Sequence, residues 1–400
     1  MSPFSIASVA AWAVVVATAR LVRGRPYVYF VAVLLGIYTL VAVGLAPYAA
    51  ATFPGAAWAY AFLHATVYAN FVFLARPRMR PLVFRIVVSW PASWFLGSTM
   101  LGFPWAIAAA FGLRPVGFWI PYAVGLLGLV DTFFPRRTTV PILLRAQAGA
   151  TLARAPRALK GDARDPRPLR ILQITDPHLG PFMSVERLRG FCERAVAANP
   201  DLVFLTGDFL TMESHSDHAL LGAALAPLRA LEGRCFACFG NHDHEAPEHV
   251  REGLASAGVE LLMDDMRRVE TAAGPVEILG FDFRRRDRLA HLEGVTSRFP
   301  RTDDAIRIGL LHDPGAFRHL ADGTADLVLS GHTHGGQLGL LWLGLPQTVV
   351  SAVAKMPDHG LWARGKERLY VHRGTGHYGF PLRLGVPPEE SVLELHRAHV

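Results

Sequence analysis

Acidic residues and lysine are almost absent from the first 140 residues of this 400-residue chain. That stretch contains ten arginines, no lysine and one acidic side chain, Asp131, so it carries a net charge of +9. Because the whole chain carries +7, the difference leaves −2 for residues 141–400. A nucleic-acid-binding protein is expected to carry its positive charge on a folded recognition domain, whereas here the charge lies between apolar runs. The charge distribution therefore argues against nucleic acid as a partner. It instead indicates how apolar segments of the chain are oriented across a membrane.

Cysteine is also scarce, since the chain has only three. A small, odd number of cysteines excludes a framework of disulfide bonds. Cys235 and Cys238 have the spacing of a redox or zinc motif, but they lie in an apolar run that reads as a buried strand. Residues three apart on a strand face opposite ways, so we expect two small core residues rather than a redox or zinc site.

Long apolar runs occupy the first third of the chain, and each is near the roughly 20 residues that cross a bilayer as a helix. We predict five spans, at about residues 4–19, 27–46, 56–75, 86–111 and 116–134. Arginines cluster after the first, third and fifth runs, so the positive-inside rule places the N-terminus outside and everything after Arg137 in the cytoplasm. The first run could instead be a cleaved signal peptide, but its charges follow the apolar stretch, which favours a retained anchor.

A basic connector over residues 138–167 separates the apolar region, 1–137, from the rest of the chain, 168–400. It mixes arginine, alanine and proline without a strong period. Two interpretations stay open, a basic amphipathic helix on the membrane surface and a solvated tether. Either would hold the following domain close to the bilayer.

Short apolar runs alternate with amphipathic stretches from Leu169 onward, which is typical of an α/β domain with helices covering sheets. The predicted strands are Leu169–Thr175, Leu202–Thr206, Cys235–Phe239, Ile306–Leu311 and Leu327–Ser330. The predicted helices follow Ser184 as an N-cap and cover His218–Leu231 and Pro247–Ala257.

Polar side chains rich in Asp, His and Asn follow every one of these strands. They are Asp176 and His178, Asp208, Asn241 to Asp243, His312, and His332 with His334. In open α/β sheets, ligands gather outside the carboxyl ends of the strands, so residues distant in sequence can converge there. Each motif alone is weak, because Gly-Asp after a strand is often only a turn. Together they supply seven oxygen and nitrogen side chains of the kind that bind two divalent metals, plus one spare histidine.

The ordered set of motifs resembles the calcineurin-like metallophosphoesterase superfamily, whose pattern D-x-H, GD, GNH-D/E, H and GH-x-H is matched in full over roughly residues 168–398. The ending Gly331-His-Thr-His-Gly-Gly-Gln337 and the tail Tyr370–Gly376 resemble its membrane-associated branch. The resemblance implies a four-layer α/β/β/α sandwich, here preceded by an all-α transmembrane region.

The resemblance also implies roles for the motif residues. The first metal would be held by Asp176, His178, Asp208 and His334, and the second by Asp208, Asn241, His312 and His332. Asp208 would then bridge the two ions, which are expected to be Mn, Fe or Zn. His242 would be free of metal and would act on the substrate, oriented by Asp243. Apart from the resemblance, four basic residues near the tail are candidates for binding the charged groups of the substrate, although ordinary exposed basic side chains are the default interpretation. They are Arg364, Lys366, Arg373 and Arg383.

We therefore expect an integral membrane protein, of a bacterial inner-membrane type, with a cytoplasmic metal-dependent phosphoric ester hydrolase. The expected reaction is hydrolysis of a phosphodiester or pyrophosphate by a hydroxide that bridges the metals. Its expected partners are the lipid bilayer and a phosphoester substrate at the membrane, such as a phospholipid or a nucleotide-linked glycolipid. A soluble nucleotide substrate, or a catalytically silent membrane sensor or scaffold, is the alternative. A silent protein would be expected to have lost ligands, and here the full set is present.

Overall fold

The structure, a computed structural model, describes residues 2–76, 78–155, 167–380 and 382–397. The chain divides into two compact units. Unit 1 consists of Met1–Thr132, Met212–Ser216 and Gly379–Leu384, and unit 2 consists of Phe133–Thr211, Asp217–Tyr378 and Gly385–Val400. This division does not follow the predicted boundaries, because two short segments of the expected phosphoesterase domain belong to the helical unit.

Unit 1 is built from apolar helices. Their bounds are Pro3–Val22 (α1), Arg25–Ala50 (α2), Ala56–Leu74 (α3), Leu82–Leu101 (α4), Phe103–Ala110 (α5) and Ile120–Asp131 (α6). Side chains from α1 to α4 form the core of this unit, around Tyr38, Val67 and Phe95. Many other apolar side chains of the same helices are exposed, as is expected of a surface that faces lipid rather than water.

Three helices in the described part of the chain, α1 to α3, are long and apolar enough to cross a membrane. The prediction of five spans is therefore wrong. The fourth run is bent by 54° between α4 and α5, so it is either one broken span or a re-entrant segment. The fifth run forms α6, whose 12 residues extend only about 18 Å and fall short of the roughly 30 Å hydrocarbon core.

Unit 2 contains two sheets. Its strands are Arg136–Leu144 (β1), Ala153–Arg154 (β2), Leu169–Ile174 (β3), Leu202–Leu205 (β4), Cys235–Ala237 (β5), Glu260–Leu261 (β6), Asp265–Thr271 (β7), Gly274–Gly280 (β8), Ile306–Leu310 (β9), Leu327–Ser330 (β10), Gly360–Arg364 (β11), Glu367–Val371 (β12) and Glu389–Arg397 (β13). The six-stranded sheet has the order β1-β13-β3-β4-β5-β6, and the seven-stranded sheet has the order β2-β11-β12-β10-β9-β8-β7.

The two sheets pack face to face, with helices on both outer faces. One buried cluster joins Ile171 and Phe204 of the first sheet to Ile278 and Ile308 of the second. Three helices cover the outer face of the six-stranded sheet, namely Val185–Ala197, Ala219–Leu225 and Pro247–Ser256. The helix Arg288–Arg298 packs against the outer face of the other sheet. This is the expected α/β/β/α arrangement.

The five predicted strands are all present and begin at the predicted residues, although four of them end one or two residues earlier. The helix behind Ser184 is also confirmed, and the Ser184 hydroxyl accepts a hydrogen bond from the Arg187 backbone N–H at 3.2 Å. Cys235 and Cys238 are buried and belong to the cores on opposite faces of the sheet. The expectation of small core residues therefore holds for both.

The front of the predicted connector is neither a surface helix nor a tether. Residues 136–144 form β1, which pairs in parallel register with β13 from Arg136↔Glu389 to Leu144↔Arg397. Val140, Ile142 and Leu144 alternate into the core, a period of two that is typical of a strand. Residues 156–166 of the connector lie outside the described residues. The sheet therefore starts within a few residues of the last apolar helix.

Candidate metal centre

Every predicted site residue lies in a loop that directly follows a strand. Asp176 and His178 follow β3, and Asp208 follows β4. The strands β3, β4 and β5 are parallel neighbours in one sheet, and β9 and β10 are parallel neighbours in the other. Parallel neighbours end at the same edge of a sheet, so their carboxyl ends bring the loops together.

The loops bring six of the seven predicted metal ligands into two groups. Asp176, His178 and His334 each offer one ligand atom within 4.8 Å of the others. Asp208, His312 and His332 form a second group by the same measure. These groups agree with the two implied sets except that Asn241 is in neither group and Asp208, expected in both sets, is counted only in the second. The side chains are almost wholly shielded from solvent in five of the six cases.

The Asp208 carboxylate lies between the two groups. Its Oδ2 atom is 3.6 Å from Nε2 of His178 in the first group and 3.2 Å from Nε2 of His312 in the second. In the first group, Nε2 of His334 lies 3.2 Å from Nε2 of His178 and 3.6 Å from Oδ1 of Asp176. One carboxylate therefore faces both sets of nitrogen atoms, as a bridging ligand requires.

Two of the histidines are oriented by backbone carbonyl groups. Nδ1 of His312 lies 2.7 Å from the Thr206 carbonyl oxygen, and Nδ1 of His178 lies 3.3 Å from that of Leu210. A carbonyl oxygen can only accept, so Nδ1 donates in both rings and Nε2 is the nitrogen that points into the site. This is the usual support of histidines that bind metals.

Asn241 supplies the observation that tests the fit of a metal. Its side-chain Oδ1 is buried and has no hydrogen-bond partner in the ranges that the structure describes. A buried polar atom without a partner costs about 1–3 kcal/mol, so such atoms call for an explanation. A cation held jointly with His312 and His332 would satisfy this oxygen. The residues present therefore fit a dimetal centre with oxygen and nitrogen ligands.

The backbone of the site is strained. Asp176, His178, Asp208, His332 and His334 all have positive φ angles, between 45° and 68°. Such conformations cost roughly 1–3 kcal/mol each for residues with side chains, and they concentrate at functional sites. Gly240 lies where no side chain fits, because a Cβ atom there would come within 2.3 Å of Asp208 Oδ1. The loops are thus held in shapes that serve the site rather than the fold.

Asp243 holds two of these loops together, and the prediction that it orients His242 is wrong. Its buried carboxylate accepts hydrogen bonds from the backbone N–H groups of Asp208, Phe209 and Gly240, at 2.7 to 2.8 Å. Burial, followed by the neighbouring Asp208 charge, raises the pKa of the Asp243 carboxyl to about 6. We infer that Asp243 positions the loop that carries Asp208.

Replacing Asp243 with alanine should lower both stability and metal occupancy. The change leaves three backbone N–H groups without an acceptor, at a cost of about 1–3 kcal/mol for each. We expect a lower midpoint of thermal unfolding and less bound metal by elemental analysis. Asp243→Asn keeps one acceptor oxygen and should be affected less. An alanine variant that keeps normal stability and metal content, but loses turnover, would instead support a direct catalytic role.

His242 is held by a residue that sequence reasoning missed. Its Nδ1 lies 2.7 Å from Oε1 of Glu245, three residues further along the chain. Its backbone N–H donates to Oδ1 of Asp208 at 2.8 Å. Tyr378 packs edge-on against the His242 ring at 4.9 Å and stacks on His178 at 4.7 Å. The spacing of three between His242 and Glu245, within one short turn, is the signal that could have found this pair.

The pKa values of the histidines in the site are shifted in opposite directions. Burial lowers the pKa of His178 to about 3 and that of His332 to about 4, so both are neutral and able to bind a cation. Burial also opposes protonation of His312, but the adjacent Asp208 carboxylate outweighs it and raises the pKa of His312 to about 10. Metal binding at this histidine must therefore displace a proton.

Three of the four basic candidates near the tail are engaged in the fold. Arg373 is buried and pairs with Glu389 at 2.9 Å, and Arg364 pairs with Glu367 at 2.6 Å. Arg383 is fully buried and belongs to unit 1. Lys366 is exposed. Arg373 and Arg364 therefore form ion pairs within unit 2, so there is no longer a reason to assign them to substrate binding.

Comparison with known proteins agrees with this geometry. The family described as "Calcineurin-like phosphoesterase" matches residues 169–336. "Phosphodiesterase YaeI" of Escherichia coli is 32% identical over 235 residues, which cover 57% of this chain and 82% of that protein. The chain belongs to the calcineurin-like phosphoesterase family. Membership makes it a metal-dependent phosphoric ester hydrolase, with Asp and His clusters able to hold the metal.

Two further relatives of this family are associated by name with membranes or lipids. "UDP-2,3-diacylglucosamine pyrophosphatase LpxG" of Chlamydia muridarum is 27% identical, over 56% of this chain and 83% of that protein. "Transmembrane protein with metallophosphoesterase domain" of Danio rerio is 29% identical, over 58% of this chain and 54% of that protein. The family therefore includes members that combine the phosphoesterase domain with a membrane region.

Proposed function

We propose that this chain is a membrane-anchored phosphoesterase that holds two divalent cations and cleaves a phosphodiester or pyrophosphate bond in a lipid-linked substrate. The observation that carries the proposal is the Asp208 carboxylate between two converging groups of ligands, with His242 beside them. The first cation would be held by Asp176, His178, Asp208 and His334. The second would be held by Asp208, Asn241, His312 and His332.

The chemistry divides between the cations and the protein. Two bound divalent cations would lower the pKa of a shared water and neutralise charge on the phosphoryl oxygens. Asp208 would be a ligand shared by both cations, and the carbonyl groups of Thr206 and Leu210 fix the ring orientations of His312 and His178. Because O- and N-ligands predominate, Mn, Fe or Zn suits the donor set.

His242 is proposed to donate a proton to the leaving oxygen. Burial opposes its protonation, but the Glu245 carboxylate at 2.7 Å outweighs burial and raises the pKa of His242. A histidine held at one nitrogen by a carboxylate has a fixed ring orientation and favours the protonated form. Glu245, not Asp243, is therefore the residue that positions the acid.

The apolar helices and the relatives' printed names support a lipid-linked substrate. Three helices of span length would keep the domain at a bilayer. A relative named as a UDP-2,3-diacylglucosamine pyrophosphatase acts, by its name, on a nucleotide-linked acylated sugar. We also propose that the catalytic domain is cytoplasmic, in a bacterial-type inner membrane. The arginine clusters after α1, α3 and α6 share one side if the bent α4–α5 pair is re-entrant.

The assay that tests the proposal uses the full chain in lipid nanodiscs, loaded separately with Mn and Zn. It compares a phosphomonoester, a phosphodiester, a nucleotide diphosphate sugar and a phospholipid, with bound metal measured in each sample. We expect hydrolysis of the diester or pyrophosphate class, with lipid-linked forms preferred. Hydrolysis of the soluble nucleotide compound alone would contradict the lipid-linked substrate. No hydrolysis of any class, with metal bound, would favour a silent scaffold.

A further inference from the structure

Exposed apolar side chains in unit 2 are concentrated in one segment. Among the described residues of this unit, six of its eight exposed large hydrophobic side chains lie within residues 338–354. They are Leu340, Trp342, Leu343, Leu345, Val349 and Val353. We call residues 338–354 the apolar loop. It directly follows the Gly331–Gln337 motif, and a concentration of exposed apolar side chains is expected at an interaction site.

The apolar loop is ordered by hydrogen bonds that hold its side chains outward. The Leu340 N–H donates to the Gln347 carbonyl at 2.9 Å, which closes the tip of the loop. Thr348 then caps the short helix Val349–Val353 in a reciprocal pair of hydrogen bonds with Ser351. The Thr348 hydroxyl also donates to the buried carboxylate of Asp358. A loop fixed in this way presents its leucines and tryptophan to its surroundings instead of folding them inward.

Next to the apolar loop, the carboxylate of Asp358 is buried and paired with Arg154, whereas exposed charge is positive at Lys355 and Arg136. Residues 338–354 contain no charged side chain, and Lys355, one of three lysines in the chain, follows at once. A cleft beside the loop is lined by Leu341, Leu345 and Pro346 on its apolar side, and by Arg136, Arg154 and His359 on its polar side. No acidic residue is among the described side chains that line this cleft.

The three arginines that line the cleft differ in their bonding, and one of them, Arg373, pairs with Glu389 at 2.9 Å. Arg154 pairs with Asp358 at 2.9 Å and stacks over the Trp362 ring, so its position is fixed. Arg136 is exposed, and no ion pair involving it occurs among the residues that the structure describes. Its guanidinium group is therefore available to an anion that approaches the apolar loop.

We propose that the apolar loop enters the headgroup region of the bilayer and that the adjoining cleft binds the phosphate of an anionic phospholipid. Leucines and a tryptophan flanked by arginine and lysine are the composition of segments that lie in the membrane interface. The positive charges of Arg136 and Lys355 are complementary to the negative charge of an anionic lipid surface. Such a surface attracts basic residues within about a Debye length. We take a bilayer rather than a second protein as the occupant, because the same chain carries three helices long and apolar enough to cross one.

This contact does not depend on catalysis, and it is separate from the metal centre. It would limit the orientations of the phosphoesterase domain at the membrane, in addition to the anchor that the helices provide. Because the loop directly follows the segment with His332 and His334, lipid contact would lie close in sequence to the site. If the proposed lipid-linked substrate is correct, the loop is the surface over which such a substrate would approach.

The test uses a probe on the full chain in nanodiscs. The three native cysteines are buried, so a Leu343→Cys variant can be labelled selectively with a fluorophore. Leu343 is 72% exposed, and Leu289 on the helix Arg288–Arg298 is a matched exposed leucine at 51%, so Leu289→Cys is the control. Nanodiscs contain phosphatidylcholine alone or with phosphatidylglycerol. Quenching by spin-labelled lipid reports depth, and quenching by iodide reports exposure to water.

We expect the label at 343 to lie about 5–10 Å below the headgroup surface and to be shielded from iodide. The label at 289 should show the opposite pattern. Arg136→Gln should lower the ratio of docked to undocked loop about fivefold in anionic nanodiscs and leave it unchanged in phosphatidylcholine.

Three results would overturn the proposal. Iodide quenching at 343 equal to that at 289 would show that the loop stays in water. Shielding of the 343 label from both quenchers would show that protein, such as a second copy of the chain, covers it. If the Arg136→Gln variant docked as well as the parent protein in both lipid mixtures, the cleft would be excluded as an anionic phospholipid site. None of these measurements requires hydrolysis. The membrane contact can therefore be disproved without disproving the proposed function, and the reverse also holds.

Discussion

An Asp208→Asn variant is expected to lose at least about 10³-fold in turnover, or ~4 kcal/mol of transition-state stabilisation, because both cations would lose a shared ligand. Oδ2 of Asp208 faces His178 at 3.6 Å and His312 at 3.2 Å. Oδ1 accepts the His242 backbone N–H at 2.8 Å. An asparagine in this place can present only one acceptor oxygen and carries no charge. It therefore cannot serve both groups and the backbone at once.

Metal content is the measurement that separates this explanation from a simple loss of activity. Elemental analysis of purified protein should give close to two ions per chain for the parent protein and one or fewer for Asp208→Asn. The matched control is Asp322→Asn, because the Asp322 side chain is 90% exposed and pairs only at the surface with Arg364 at 3.3 Å. Full metal occupancy in the Asp208 variant would contradict a bridging role. Loss of metal in the Asp322 variant would point to a general effect of removing charge.

The residues of the candidate site were predictable because their signals are local. Each predicted ligand directly follows an apolar run of four to seven residues, and parallel strands end at a common edge whatever the length of chain between them. The structure accordingly brings Asp176 within 3.6 Å of His334, across about 160 residues of sequence. Their roles as ligands stay a prediction, supported by the unpartnered oxygen of Asn241 within the described ranges.

The residues that escaped prediction act through contacts that no local pattern encodes. Tyr378 stacks on His178 although it lies in a loop without periodicity. Asp243 was assigned to His242 because the two are adjacent in sequence. In the structure its carboxylate accepts hydrogen bonds from the backbone N–H groups of Asp208 and Phe209 in one loop and from that of Gly240 in another. That Asp243 is next to His242 in the sequence therefore did not predict the hydrogen-bond partners of its buried carboxylate.

The errors in the fold have a similar cause. β1 was read as a linker because Arg136, Arg137 and Pro141 obscure its alternation, and its partner β13 lies about 250 residues away. Pairing over such a distance is tertiary information, and strand propensity depends strongly on it. The membrane spans were overcounted because hydropathy registers composition and not continuity. The break at Gly102 and the short α6 change the length of the helices without changing their apolar character.

A His242→Ala variant is expected to lose about 10²–10⁴ in turnover while keeping its metal. The imidazole belongs to neither group of converging ligands, and the backbone N–H that bonds Asp208 survives the substitution. His244→Ala is the matched control, because His244 is two residues away, is 40% exposed and pairs with Asp282 at 3.0 Å. It should keep near-normal turnover. Loss of metal in His242→Ala equal to the loss in Asp208→Asn would identify His242 as a ligand.

Substrates with different leaving groups show whether His242 donates a proton or only contributes to the structure of the site. An acidic phenol leaves without protonation, whereas an alcohol requires it, so the defect of His242→Ala should shrink as the leaving-group pKa falls. Glu245→Gln should show the same dependence with a smaller loss, since it removes the carboxylate that holds Nδ1 at 2.7 Å but leaves the ring. A defect of equal size for every leaving group would assign His242 to phosphoryl binding. Proton donation then would have to come from solvent.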